Sequence, residues 1–183
     1  AQITYTAHLN PGAYTAYAIF AGDTYYNSKS DLTGVLTVNK ADTTINVPTV
    51  NGTIGSTISV TATLTRNTDS LALSGKTISF IIDGVAAGSA VTNASGVATI
   101  SHTVAGGVLG NRTMTANFAA DTVYNPSAGT GTLVRYANTT LTAPSGANQR
   151  TKTVTLSSTL RRAHDSALII GATVNFLVDG ASV

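Results

Sequence analysis

The sequence predicts an all-β protein built from tandem two-sheet sandwiches, and three observations carry that prediction. First, a long pattern recurs. GKTISFIIDG, ending at Gly84, returns 96 positions on as GATVNFLVDG, ending at Gly180, and FAGDTYYN from Phe20 returns 98 positions on as FAADTVYN from Phe118. Second, apolar residues alternate with Ser and Thr at the period of two that a half-buried strand imposes, and no stretch shows the period of a helix. Third, short turn signals separate these stretches. About seven strands per repeat of this length indicate two packed sheets, and the fixed period indicates an array.

Taken in order, the strands begin with an inward row at Ala16, Ala18 and Phe20 and another at Leu36 and Val38. A strand near Thr43 to Val47 opens the next repeat. Ile58, Val60, Ala62 and Leu64 then face one side, with Ser59, Thr61, Thr63 and Thr65 on the other. Ile78, Phe80 and Ile82 form a further row, closed by Asp83-Gly84, a pair that readily takes the positive φ angles of a tight hairpin. Thr92 to Gly96 is a second turn, followed by a strand from Val97 to Ser101 that carries Ile100 inward. Met114, Ala116 and Phe118 match the first row of the chain. A loop at Asp121 to Pro126 leads to a last strand near Thr130 to Tyr136, with Leu133 inward and Arg135 where the earlier copy has Val38. After it, Val154, Leu156, Ser158 and Leu160 repeat the Ile58 row. Phe176 repeats Phe80, so the two phenylalanines are expected in like surroundings.

Aligned on the period, the chain divides into three parts: 1-39, the C-terminal half of a unit; 40-137, a complete unit; and 138-183, the N-terminal half of a unit. A half sandwich exposes its core face and unpaired strand edges, so something must cover it. Two arrangements do so: a longer array in which the neighbouring sequence completes each half, or strand exchange between identical chains, head to tail. The linkers Asn39-Lys40-Ala41-Asp42 and Tyr136-Ala137-Asn138 are too short to be floppy tethers, which predicts a semi-rigid array.

Composition narrows the function. Charged residues are 10% of the chain, Glu is absent, and the net charge is +2, so the high isoelectric point reflects scarcity of charge and gives no argument for nucleic acid. Cysteine is also absent, so disulfides contribute nothing to stability. No signal peptide opens the sequence, and no apolar run approaches the roughly 20 residues of a membrane span.

The order GSTISVTATLT, GKTISFIIDG, TNASGVATI, FAADTVYN, closed by a strand such as GVLTVNKADTTI, resembles the bacterial immunoglobulin-like repeats of large cell-surface and secreted proteins. The resemblance covers essentially the whole chain. It implies a sandwich module, extracellular or cell-surface placement, and a role as stalk, spacer or adhesive segment without catalytic residues. Arg135, and Gln149-Arg150-Thr151-Lys152 in place of Thr53-Ile54-Gly55-Ser56, depart from the repeat.

No catalytic, cofactor-binding or metal-binding residues are expected. The histidines His8, His102 and His164 fall at non-equivalent points of the unit; Tyr5 matches His102 and Thr68 matches His164. His164-Asp165-Ser166 holds triad residue types, but consecutive residues do not reach triad geometry. Aspartates recur at Asp23/Asp121, Asp69/Asp165 and Asp83/Asp179, one to a loop, whereas calcium takes six to eight oxygens. They are expected to cap turns through their own side chains; a calcium site joining linker Asp42 to a loop aspartate is the weaker reading. Tyr26 and Tyr124 are expected to pack their rings on the sandwich end and to hydrogen-bond locally. A Lys-Asn cross-link at Lys76 is disfavoured, because no Glu exists to assist it and its counterpart is Ala172. Asn51, Asn93, Asn111 and Asn138 open glycosylation sequons. The cluster Arg150, Lys152, Arg161 and Arg162 reads as solvated surface. The function expected is an extracellular structural or adhesive fibre or stalk, partnered by neighbouring units of the same or identical chains. The alternative is a ligand-binding adhesin module for a surface glycan or protein, or a non-catalytic appendage of a secreted enzyme.

Overall fold

The alternating rows condense into strands whose apolar faces meet. The computed structural model describes residues 2–6 and 9–183; His8 lies outside them. β1 (Gly12–Phe20) and β2 (Lys29–Val38) form a hairpin. β3 (Thr43–Asn46), β4 (Val50–Thr53), β5 (Thr57–Arg66), β6 (Thr77–Ile82), β7 (Val85–Val91), β8 (Val97–Thr103), β9 (Gly110–Phe118) and β10 (Ser127–Tyr136) follow. Beyond them come the short pairs β11 (Thr139–Leu141) with β12 (Leu160–Arg162) and β13 (Leu177–Val178) with β14 (Ala181–Ser182). Among the described residues no helix is long and apolar enough to cross a membrane.

β3 to β10 make a two-sheet sandwich. One sheet has three strands in the order β3-β5-β8, the other five in the order β4-β10-β9-β6-β7. The predicted inward rows are its core: Val60, Ala62 and Leu64 are fully buried, and Ile78, Phe80, Ile82, Met114, Ala116, Phe118 and Leu133 are at most 5% exposed. Burying each large apolar side chain contributes about 1.5–3 kcal/mol. Asp83 and Gly84 take φ of 53° and 79°, so the sharp β6–β7 turn forms at the predicted pair. Two strands went unnamed in the sequence. β4 has only four residues, and β7, VAAGSAV, is an edge strand with no clean alternation.

Close approach of the sheets at one edge depends on glycine. A Cβ on Gly131 would lie 2.6 Å from the carbonyl oxygen of Val47, and one on Gly129 would lie 2.3 Å from that of Ile45. The chain running through β3 and on to Pro48 thus passes directly over β10 at positions that no side chain fits. This crossing carries the chain from the three-stranded sheet to β4, which pairs in parallel with β10 from Val50–Leu133 to Thr53–Tyr136.

The flanking parts reproduce the local geometry of the sandwich without its burial. Ala163 N donates to Asn138 O as Asn67 N does to Asp42 O, and Ile169 N to Leu160 O as Leu73 N does to Leu64 O. Asp179 and Gly180 repeat the turn angles of Asp83 and Gly84 at 48° and 83°. In the hairpin, Phe20 faces Lys29 as Phe118 faces Ser127. A bulge between Ala16 and Ala18 adds one residue to β2, so the offset to the central copy drops from 98 to 97. Core rows are another matter. Phe20 is 46% exposed against 5% for Phe118, and Val178 is 48% exposed against 3% for Ile82.

Two expectations are therefore corrected. Phe176 does not share the surroundings of Phe80: it is only half-buried and precedes, rather than occupies, a strand. The row Val154, Leu156, Ser158 and Leu160 is not a continuous strand either; only the Ser145–Ser157 bridge and β12 form there. The cause is common to both. A strand face needs an opposing sheet to exclude water, and here none opposes it.

Candidate functional site

The sandwich has two polar ends, and each is built around one aspartate. At the first end, Asp121 begins the loop after β9. Its Oδ1 accepts from the amides of Val123 and Tyr124, and its Oδ2 lies 2.6 Å from Lys76 Nζ. Lys76 Nζ also stands 5.0 Å from the centre of the Tyr124 ring, a cation–π geometry. The linker docks on this loop. Ala41 N donates to Val123 O, Asn125 N donates to Ala41 O, Lys40 Nζ donates to Asp121 O, and Asp42 Oδ1 accepts from Asn125 Nδ2. Burial would raise the Asp121 carboxyl, but Lys76 and the two amides outweigh it and hold it below the usual carboxylate range.

At the second end, Arg135 is the last inward residue of β10, 5% exposed. Its Nη2 donates to Asp83 Oδ2 at 3.1 Å and its Nη1 to Val108 O at 3.2 Å. Arg112 Nη1 stands 3.8 Å from Asp83 Oδ1. The two guanidiniums thus clamp one carboxylate at the β6–β7 turn and tie it to the β8–β9 loop. The Nε atoms of Arg112 and Arg135 are buried without a hydrogen-bond partner among the described residues. A recess of about 240 Å³ opens beside Arg135, walled by Ile82, Val85, His102 and Ala105 among others. Burial, with the charge on Arg135, pushes the His102 imidazole below its ordinary pKa.

The remaining residues singled out in the sequence sort themselves by geometry. Asp23, Asp69 and Asp165 cap their own turns, accepting from the amides of Tyr25 and Tyr26, Leu71 and Ala167. Asp69 is also held by Arg66, whose guanidinium brings its carboxyl down to about 2. Asp83 is the exception: it sits in the turn and spends its oxygens on arginine. Asp42 and Asp121 are committed to Asn125 and Lys76, and no group of three or more His, Asp or Glu that could hold a metal occurs among the described residues. His164 Nε2 meets Asp165 Oδ2 at 3.3 Å, but no hydrogen bond joins Ser166 Oγ to the imidazole among the described residues. Tyr124 packs against the core as expected, whereas Tyr26 is 69% exposed. Asn51, Asn93, Asn111 and Asn138 are all at the surface. Arg150, Lys152 and Arg161 are solvated, and Arg162 pairs with Asp165 at 2.7 Å.

Sequence reasoning missed both clusters because their partners lie far apart along the chain, 45 residues for Lys76 and Asp121 and 52 for Asp83 and Arg135. A usable signal existed for one. Arg135 shares the inward parity of Leu133, and a charge on a buried parity demands an acidic partner.

Sheet order defines an all-β, two-sheet sandwich. No protein-family model matches the chain, and no curated protein matches it. Among solved structures, the chain is similar to the fibronectin(III)-like modules of Clostridium thermocellum CbhA, at 15% identity and a TM-score of 0.40, with 69% of this chain and 63% of that one covered. The chain therefore spans less than two thirds of that structure's length.

Proposed function

We propose that the chain is a non-catalytic segment of an extracellular or cell-surface stalk or fibre. Residues 40-137 form its complete immunoglobulin-like unit, and 1-39 and 138-183 are halves of neighbouring units. Its partners are units of the same kind, in the same chain or in identical ones.

The observation that carries this reading is the way the sandwich is strung between its linkers. The first linker is hydrogen-bonded to the Asp121 loop, the second leaves from the end of β10, and β4 pairs in parallel with β10 as far as Tyr136, where Ile54 N donates to Tyr136 O at 2.8 Å. Pulling the linkers apart drags two parallel strands past one another, so their hydrogen bonds are loaded together rather than one at a time. That is how a spacer under tension resists unfolding.

Stretching single molecules tests it. Ile54→Pro removes the amide that bonds Tyr136 and costs about 1 kcal/mol at equilibrium. It is expected to lower the unfolding force of the central unit far more than its thermal midpoint. A wild-type unit that yields at the low force of a peeled hairpin would sink the mechanical reading. The rival reading, a binding module, has the recess beside Arg135 in its favour, and retention of the chain on immobilised glycans would support it.

A further inference from the structure

We propose that the recess beside Arg135 is a ligand site, and that it takes a carboxylate carried on a small apolar body. Only the central sandwich is needed, so the site stands apart from the spacer role and goes beyond it.

Two inward rows, one from each sheet, reach the recess with polar side chains. On β8 His102 follows Ile100, and on β10 Arg135 follows Leu133; β8 belongs to the three-stranded sheet and β10 to the five-stranded one. The other copies of the repeat show that these polar groups are not part of its pattern. Tyr5 stands where His102 does, and Val38 where Arg135 does. Tyr14 lies opposite Leu36 in the hairpin, as Arg112 lies opposite Leu133 in the sandwich. Both arginines and the histidine thus belong to the central unit alone, whereas the turn aspartate Asp83 recurs as Asp179.

Arg135 is left with capacity to spare. A guanidinium carries five N–H donors. Arg135 spends one on Asp83 and one on Val108 O, and its Nε is buried with no acceptor among the described residues. A buried donor on a charged group is costly to leave unpaired, so an acceptor entering the recess is favoured. The charge is not fully met either. Asp83 divides its two oxygens between Arg112 and Arg135, so two cations share one anion and a single positive charge remains. His102 adds no charge at neutral pH, because burial and the neighbouring arginine hold its imidazole below the ordinary range.

The walls select the ligand. Ile82, Val85 and Ala105 are apolar, and the volume of about 240 Å³ lies below the roughly 300 Å³ at which pockets for drug-sized molecules begin. One ring or one branched chain fills it. A carboxylate supplies a single negative charge and a planar pair of acceptors, which suits a guanidinium fork. Phosphate suits the recess less well, since it has no apolar part for the walls and brings more negative charge beside Asp83. That aspartate also borders the recess, and its own carboxylate limits how tightly a second one is held.

Benzoate and benzamide, alike in shape and unlike in charge, are the probes. Titrated into the whole chain and followed by the methyl NMR signals of Ile82, Val85 and Ala105, benzoate is expected to bind with a Kd of about 10 mM or lower, the usual yield for a ligand of its size. Benzamide and inorganic phosphate are each expected to bind at least about tenfold more weakly. Arg135→Val is expected to weaken benzoate about tenfold or more and to leave benzamide unchanged, a split that loss of structure does not produce. Asp83→Asn removes the competing carboxylate. It is expected to tighten benzoate, and benzoate to raise that variant's thermal midpoint more than the wild type's. Equal binding of benzamide would overturn the proposal by reducing the recess to an apolar cleft, and equal binding of phosphate would overturn it by removing the preference for a carboxylate. Benzoate binding that survives Arg135→Val would overturn it too, as would a folded chain whose recess methyls do not shift or whose only shifts fall on Tyr17 and Ile19, exposed on the hairpin. None of these results bears on the unfolding force of the central unit, which tests the spacer role separately.

Discussion

Arg135 Nη2 lies 3.1 Å from Asp83 Oδ2, joining the end of β10 to the turn between β6 and β7 across 52 residues of sequence. The guanidinium is buried while the carboxylate is 40% exposed, so the two partners are unequal. Removing the acid strands a buried cation; removing the base strands nothing. Asp83→Asn, which tolerates the positive φ, is expected to destabilise the sandwich by about 1–3 kcal/mol, below the cost of breaking a fully buried pair. Arg135→Val, the residue that Val38 supplies in the hairpin, is expected to stay within about 1 kcal/mol of wild type. In the Arg135→Val background the Asp83→Asn change should cost little. Denaturant titration of the four proteins gives the coupling, and additive effects would show that the contact contributes nothing.

Gly131 tests the crossing over β10. A Cβ there meets Val47 backbone oxygen at 2.6 Å, and backbone cannot swing aside as a side chain can. Gly131→Ala is expected to cost about 1–3 kcal/mol by overpacking. Gly12→Ala, whose Cβ would meet only the Tyr14 ring at 3.7 Å, is the control and should leave the unfolding midpoint unchanged. Equal effects in thermal unfolding would refute the close-approach argument.

Acid sensitivity follows from the aspartates. Asp121 and Asp69 have folded pKa values depressed below their unfolded ones, Asp69 to about 2. The unfolded chain therefore takes up protons first as pH falls. The stability these groups contribute is fully present above their unfolded pKa of about 3.9 and is lost on acidification through the folded values. Denaturant midpoints for wild type should fall gently below about pH 6.5, where the unfolded chain protonates His102 before the folded one does, and steeply below about 4, where the aspartates follow. Asp121→Asn should be weaker than wild type at neutral pH, with the gap closing toward pH 2. A gap of constant size across that range would remove Asp121 as the cause.

The inward rows could be read from sequence because a strand's two faces are fixed by the parity of its residues, a local property. Ile78, Phe80 and Ile82, the Asp83-Gly84 turn and the Asx-capped loops at Asp23, Asp69, Asp121 and Asp165 were legible for that reason. β4 and β7 were not. One is too short to show a period, and the other lies at a sheet edge where burial does not select one face. The Lys76–Asp121 and Arg135–Asp83 contacts were out of reach as pairs, since parity says which way a residue faces but not what it meets.

Phe80 and Phe176 mark the boundary between what sequence and tertiary structure decide. Their flanking residues are nearly the same and end in the same positive-φ turn, so the chain alone specified repeat, strand tendency and turn. Yet one ring is 2% exposed and the other only half-buried. Excluding water from an apolar face takes a second face pressed against it, and whether that surface is supplied is settled by how distant segments assemble.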